Sequence, residues 1–375
     1  MINRMLARRA LLSLLLGWVT AASSASSGAS AEKGPIEGIK VPLVGHFTVD
    51  EDAALNLSGI DCSTPTDKPT RVCLVALDEG LAAQLVELTL EPAASLTVRQ
   101  TVPLLRKSDA SDPKLAGLPG KVKCSAGTKK FNENDSEGVS FLDGYFYVAG
   151  SHGCGRHSDA FKASAYIDLR IGAPAAADVP VGDVKWTPQL NEVLSALPDL
   201  NFGQNINGGS GLTVEGIAGS HGTLFFGLRS PVLTDGAPIV AVPASDLFDG
   251  TGPTPHAVHT VALEGLGIRD LAVLPGSQAP ADSDPIRLLI LAGPKSGDGG
   301  PFKVFLLELP DDQKMTDQKS APRRLLGELK TEPGEKAEGM VVTNHTDTAV
   351  GVLILYDDVT DGDPTLYQLD LSSQN

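Results

Sequence analysis

Glu137-Gly138-Val139-Ser140-Phe141-Leu142-Asp143-Gly144-Tyr145-Phe146-Tyr147-Val148-Ala149 is a β-type run, a two-residue turn and a second, more apolar run. Asp-Gly between two such runs signals a hairpin, because the tight turn needs positive φ at its centre. The pattern returns along the chain. A small or acidic residue, then Gly, then an aliphatic opens at Ser58-Gly59-Ile60, Glu215-Gly216-Ile217 and Glu338-Gly339-Met340, with Arg269-Asp270-Leu271 as a divergent fifth member. Second strands follow at 72–77, 145–149, 223–228, 287–292 and 350–356, and third strands at 84–90, 165–171, 238–242, 302–309 and 365–371. Fourth strands read at 95–104, 181–186, 257–263 and 323–329, while the fifth group ends without one. The unassigned run 41–49 near the N-terminus would supply it. Repeats that stack in this way predict an all-β chain, a propeller of five four-stranded blades whose last blade is closed by the N-terminal strand. Loop-rich insertions near 108–134 and 187–211, the second with a short helix at 188–197, leave room for a sixth, degenerate blade as the alternative count. A sandwich plus a separate β domain is the competing architecture, but no Pro/Gly/Ser linker divides residues 32–375.

Composition agrees. The 375 residues include 40 Gly and 26 Pro but only 5% aromatics, which favours short strands joined by turns over long helices. A net charge of −16 disfavours a nonspecific nucleic-acid binder, which needs a cationic face to displace counterions.

Arg4, Arg8 and Arg9 precede the apolar run 11–19, and Ala29-Ser30-Ala31 closes a stretch of small residues. These are the three regions of a cleaved signal peptide, 1–31, with Glu32 as first mature residue and a periplasmic or extracellular destination. Sec export is favoured over the twin-arginine route, because Ala7 stands where Ser or Thr usually precedes the arginines. No later stretch reaches the roughly 20 apolar residues of a membrane span, so no transmembrane anchor is expected after processing. Cys62, Cys73, Cys124 and Cys154 would meet an oxidising compartment as disulfides. Of three pairings, we favour Cys62 with Cys73 and Cys124 with Cys154. A zinc site at His152, Cys154 and His157 competes, but offers only three local ligands.

In a propeller, first-strand starts and second-strand ends share one mouth of the axis. That places Ser58, Glu137, Glu215, Arg269, Asp270 and Glu338 around it, with His152, Arg229, Asp78, Glu79, Asp357 and Asp358 from the second strands. Carboxylates so crowded need a cation or guanidinium among them. Oxygen-only ligands favour Ca²⁺ or Mg²⁺, held by Glu137, Glu215, Asp270 and Glu338. His152, Arg229 and Arg269 occur in one blade each, so symmetry does not explain them and they are the candidate catalytic groups. Asp78, Glu79, Asp357 and Asp358 form a secondary rim. The motif also has an architectural reading: Gly lets strands approach near the axis, and each acid caps backbone amides of the neighbouring blade.

Gly227-Leu228-Arg229-Ser230-Pro231-Val232 resembles the GLRGPV signature of an uncharacterised family of exported bacterial proteins, a domain of unknown function, with Ser230 in place of Gly. Glu215-Gly216-Ile217-Ala218 and Gly267-Ile268-Arg269-Asp270-Leu271 belong to the same resemblance, which covers most of the mature chain and implies no established activity. The Glu-Gly openings are similar, more distantly, to phytase-like and calcium-dependent esterase or lactonase propellers, a likeness that implies a Glu facing a central cation.

Three functions are compatible with these residues. The first is a metal-dependent hydrolase of phosphoesters, lactones or related esters, with the cation polarising a substrate oxygen, Arg229 and Arg269 clamping negative charge and His152 moving the proton. Its substrate would be a small anionic ligand. The second is a non-enzymatic binding or scaffold propeller that holds an envelope protein. The third is a glycosidase using two central carboxylates, which low aromatic content disfavours. No G-x-x-x-x-G-K-[ST], H-E-x-x-H or G-x-S-x-G motif is present, so neither a nucleotide nor a haem cofactor is indicated.

Overall fold

The computed structural model describes residues 34–372 apart from 50–51, 119–121, 125, 129–130, 156–158, 207–209, 276–284 and 297–298. The signal segment 1–31 and His157 lie outside the described residues. The chain is a five-bladed β-propeller. Blade 1 comprises Leu57–Cys62, Thr70–Leu77, Ala82–Thr89 and Ser95–Pro103; blade 2 comprises Ser136–Leu142, Tyr145–Gly150, Asp168–Gly172 and Val184–Thr187. Blade 3 is built from Thr213–Ser220, Thr223–Ser230, Ala237–Pro243 and Ala257–Val261, and blade 4 from Gly267–Val273, Ile286–Gly293, Phe302–Leu309 and Arg323–Leu329. Blade 5 contributes Lys336–His345, Ala349–Asp357 and Thr365–Asp370, and Ile39–Lys40 adds its outer strand. The closing strand therefore precedes the expected run 41–49. Leu43–Val44 instead lies parallel to Leu96 and Thr97 as an extra strand of blade 1, and Thr48–Val49 pairs with Asp52–Ala53.

Every second strand is buried on both faces, which is why it reads as a continuous apolar run. With a side-chain period of two, alternate residues serve opposite blade interfaces. Leu74 and Ala76 pack toward blade 2, with Phe146 and Val148, whereas Cys73, Val75 and Leu77 pack toward blade 5, with Leu353 and Leu355. Each of the other three interfaces has its own apolar cluster, around Phe226, Ile290 and Ile354. Cys62–Cys73 joins directly opposed residues of adjacent strands in blade 1, and Cys124–Cys154 ties the loop before blade 2 to the segment that follows its second strand. Helices are short, at Leu190–Ala196 and Ala244–Asp249.

The first strands close around the axis at near contact. A Cβ added to Gly59 would lie 2.6 Å from Gly138 Cα, and one added to Gly216 would lie 2.8 Å from Asp270 Cα. Both separations are too short for any side chain, so Gly59 and Gly216 are explained by blade approach. Polar staples join the same strands. Asp61 Oδ1 accepts the N–H of Cys62 and Oδ2 that of Phe141 in blade 2, each at 2.7 Å, while Ser140 Oγ accepts the N–H of Gly219 in blade 3 at 2.7 Å.

Burial pushes Asp61 from 3.8 up to about 6, against the opposing pull of the two N–H groups and Arg71. The folded chain thus keeps a proton that the unfolded chain has released. This stabilising contribution is complete below the unfolded value, declines as pH rises and is lost above about 6. Asp61→Asn should remove a decline on the order of 2 kcal/mol from the stability profile between pH 4 and 6.5. Urea unfolding of both proteins across that range checks this, and an equal slope in the variant refutes it.

Candidate functional site

Each first strand carries a β-bulge at the same place. Pairing with the second strand skips from Leu57 to Gly59, Ser136 to Gly138, Val214 to Gly216, Ile268 to Asp270 and Ala337 to Gly339. The skipped residues are Ser58, Glu137, Glu215, Arg269 and Glu338, the five that open the sequence repeat. A bulge leaves its extra residue out of the ladder and re-aims its side chain. Here it supplies one side chain per blade at the axial mouth.

Carboxylate oxygens of Glu137, Glu215 and Glu338 lie within 4.8 Å of one another, and the three residues are only 7%, 1% and 4% exposed. Two buried guanidinium groups enter among them. Arg229 Nη1 donates to Glu215 Oε1 at 3.2 Å and its Nε to the carbonyl of Pro294 at 3.2 Å. Arg269 Nη1 lies 3.4 Å from Glu215 Oε2, and its Nη2 donates to Glu338 Oε1. Glu215 is thereby gripped at both oxygens. The Glu137 side chain, in contrast, has no hydrogen bond or ion pair among the described residues. Burial, followed by the charges of Glu215, Asp135, Glu338 and Asp78, pushes Glu137 well above the carboxylate range. Burial also outweighs Arg269 at Glu338, pushed up to about 7.

The rim extends this acidity. Asp78 is pushed well above its ordinary value by burial and then by Asp135, Asp357, Glu338 and Glu79, and its Oδ1 is buried with no hydrogen-bond partner among the described residues. Ser58 Oγ, on a residue 1% exposed, likewise has none. Asp357 lies 3.6 Å from Lys336 Nζ, which also binds Asp358, and Glu79 Oε1 accepts from Asn56 Nδ2 at 3.0 Å. Asp135, which the sequence reading overlooked, accepts from Ser151 Oγ and pairs with Lys162 at 3.3 Å. A positional signal existed for it: polar Asn56, Asp135, Thr213 and Lys336 each stand three residues before the motif glycine.

Two expected members have other tasks. Asp270, expected as a metal ligand, occupies the position of the repeat glycine while Arg269 takes the bulge. Its Oδ1 accepts the N–H of Leu271 at 2.8 Å and its Oδ2 that of Met340 at 2.6 Å, which joins blade 4 to blade 5. Asp270→Ala should cost about 2–5 kcal/mol in urea unfolding by orphaning two buried N–H groups, and leave cation affinity intact. A lost cation site in a stably folded variant would return Asp270 to the ligand set. His152, expected to move a proton at the mouth, is fully buried between Asn191 Oδ1 at 2.8 Å and Asp168 Oδ1 at 3.0 Å. Asn191 Nδ2 donates to the carbonyls of Tyr166 and Pro188, so its oxygen faces the ring and both imidazole nitrogens donate. Burial pulls the His152 pKa down, but Asp168 and Asn191 outweigh it and the net direction is up. Its ring ties blade 2 to the helix Leu190–Ala196. The zinc reading also loses Cys154, whose sulfur is bonded to Cys124.

Three carboxylates with mutually close oxygens form a donor set of the kind that a hard divalent cation takes, in which Glu215 serves two guanidinium groups, Glu338 serves one and Glu137 none. Fold and site together define a five-bladed propeller with a buried acid–guanidinium cluster at one mouth of its axis. Residues 181–363, which include the stretch 227–232, match the model of a family described as a protein of unknown function, DUF3616. No curated relative matches the sequence. Similar solved structures include an exo-beta-1,3-galactanase from Phanerochaete chrysosporium, with 10% identity over 89% of this chain and 64% of the galactanase and a TM-score of 0.41. The alpha-L-arabinofuranosidase PaAbf62A from Podospora anserina gives 10%, 90%, 96% and 0.41 in the same order, and extracellular domains 1-2 of Drosophila Semaphorin 1a give 8%, 87%, 88% and 0.39. This chain thus spans just under two thirds of the galactanase's length, and such likenesses assign it no activity. Among the described residues, no helix is long and apolar enough to cross a membrane.

Proposed function

We propose that this is an exported hydrolase, assisted by Ca²⁺ or Mg²⁺, that acts at the axial mouth on small phosphoesters, lactones or related esters. One observation carries the reading: five bulges take Ser58, Glu137, Glu215, Arg269 and Glu338 out of the strand ladder, and of these Glu137, Glu215, Glu338 and Arg269 meet, with acid and guanidinium side by side. Bulges conserve strand pairing while presenting chemistry. Glu137 and the second oxygen of Glu338, whose Oε1 accepts from Arg269, would hold the cation, since Asp270 is bound to backbone and Glu215 to arginines at both oxygens. A bound divalent ion supplies Lewis acidity to a carbonyl or phosphoryl oxygen and acidifies a water. From the other side, Arg229 and Arg269 set a fixed positive field where negative charge builds on that oxygen. Proton movement falls to the mouth carboxylates, because His152 is committed to Asp168. Two disulfides fit the proposed oxidising destination.

Glycoside hydrolysis would need two carboxyl groups about 5–9.5 Å apart across an open cleft. The close spacing and near-complete burial of Glu137, Glu215 and Glu338 favour small substrates instead. A panel of aryl phosphates, lactones and aryl esters, assayed with added Ca²⁺ or Mg²⁺, tests the proposal. Turnover that disappears in Glu137→Gln supports it. No turnover on any member, from folded protein, favours the binding or scaffold alternative for an envelope partner.

A further inference from the structure

The mouth is not symmetric. At corresponding positions, the bulge and the end of the second strand, blade 3 presents Glu215 with Arg229, and blade 4 presents Arg269. Blade 5 presents Glu338 with Asp357, and blade 1 presents Ser58 with Asp78. First strands touch in the order 5–1–2 around the ring, so Ser58 has Glu338 on one side and Glu137 on the other. The two guanidinium groups enter from blades 3 and 4, where they pair both oxygens of Glu215 and Oε1 of Glu338, and no arginine or lysine pairs Ser58, Asp78 or Glu137 among the described residues.

We infer that a single hard divalent cation, of the Ca²⁺ class, binds on the blade 1 side of the mouth, between Ser58, Asp78, Glu137 and Glu338. The inference rests on the cation-assisted reading above and specifies the place where that cation sits. Three observations lead there. Ser58 Oγ and Asp78 Oδ1 are both buried without a hydrogen-bond partner among the described residues, an expensive arrangement for two polar atoms of one blade. The bulge that turns Glu137 and Glu338 to the axis turns Ser58 the same way. Glu215, the third member of the close carboxylate set, is held at both oxygens by Arg229 and Arg269, whereas Glu338 gives only Oε1 to Arg269 and keeps its second oxygen for an ion.

The site is oxygen-only and mixes a hydroxyl with carboxylates. Such a set suits Ca²⁺, which accepts six to eight oxygens in flexible geometry and takes the remainder from water. It gives no nitrogen or sulfur to select zinc. Lys336 offsets Asp357, and Lys162 offsets Asp135, so the uncompensated acid is concentrated at Asp78 and Glu137. A cation there would leave Arg229 and Arg269 facing it across the mouth, an arrangement that grips a small anion from two sides.

Calorimetric titration of chelator-treated protein with CaCl₂ tests the placement without reference to turnover. Wild type should bind one equivalent. Asp78→Asn, nearly isosteric, should weaken binding at least tenfold, and Ser58→Ala about threefold to tenfold, with each variant's melting curve confirming that it is folded. Arg229→Lys should stay within twofold of wild type. If Asp78→Asn and Ser58→Ala both bind as wild type does, the placement is wrong. Should Glu215→Gln be the variant that loses the ion, the cation sits among the arginines and the inference is overturned, although the hydrolase reading survives. Binding as described here, joined to failure of every substrate in the panel, would instead sink the hydrolase reading alone. A wild type that binds neither Ca²⁺ nor Mg²⁺ nor Mn²⁺ at millimolar concentration overturns the inference outright.

Discussion

Arg269→Met is expected to destabilise the fold by about 3–5 kcal/mol, the usual cost of leaving buried carboxylates without their counter-charge. Arg269 is 1% exposed and binds Glu215 and Glu338 together. Methionine retains much of the apolar stem, so the loss reports charge more than volume. Glu338 would then have to carry a proton at neutral pH, and Glu215 would depend on Arg229 alone. Adding Glu338→Gln to the variant should recover part of the loss, because the two changes act on one network. Urea unfolding of the four proteins of that cycle measures it. A single-variant cost under about 1 kcal/mol, with additive changes, would show that the cluster is neutralised by other means.

Arg229→Ala should lower kcat/KM on any substrate found by the panel by about 10²–10³-fold, the scale for removing one preorganised donor from developing negative charge. Stability should fall less than in Arg269→Met, because Arg269 continues to pair Glu215. Arg229→Lys is the sharper probe. The guanidinium uses Nη1 on Glu215 and Nε on Pro294, two directions that a single ammonium on a flexible stem does not reproduce. We expect at least a tenfold loss of kcat/KM with the melting temperature nearly kept. Equal kinetics and equal melting in wild type and Arg229→Lys would reduce Arg229 to an ordinary charge.

Much of this fold is legible in the sequence because its repeat is physical. Blade second strands are buried on both faces, so they stand out as apolar runs, and the motif glycine marks the closest approach of neighbouring blades. Ile39–Lys40 escaped because two exposed residues held at one edge carry no pattern. Alternation is what reveals a strand, and a two-residue strand has none. The bulges were not legible either: Ser58 and Glu137 look like ordinary strand residues until pairing shows that the ladder skips them.

The site was legible in membership but not in partnership. Repetition brought Glu137, Glu215 and Glu338 to one mouth, and singularity drew attention to Arg229 and Arg269, but which acid each arginine grips depends on contacts between blades. His152 shows the limit of arguing from singularity. Its occurrence in one blade reflects the helix Leu190–Ala196, inserted after that blade, whose Asn191 needs a partner. Asp270 differs for the opposite reason: an acid inside the repeat reads as a ligand, whereas its two oxygens accept the backbone N–H groups of Leu271 and Met340.

The most direct test of the central claim is the rate of ester or phosphoester hydrolysis by purified protein, followed through chelation and re-addition of metal. The account predicts turnover that falls to background in excess chelator and returns on adding Ca²⁺ or Mg²⁺. Turnover undiminished by exhaustive chelation, with metal content verified as nil, would contradict it.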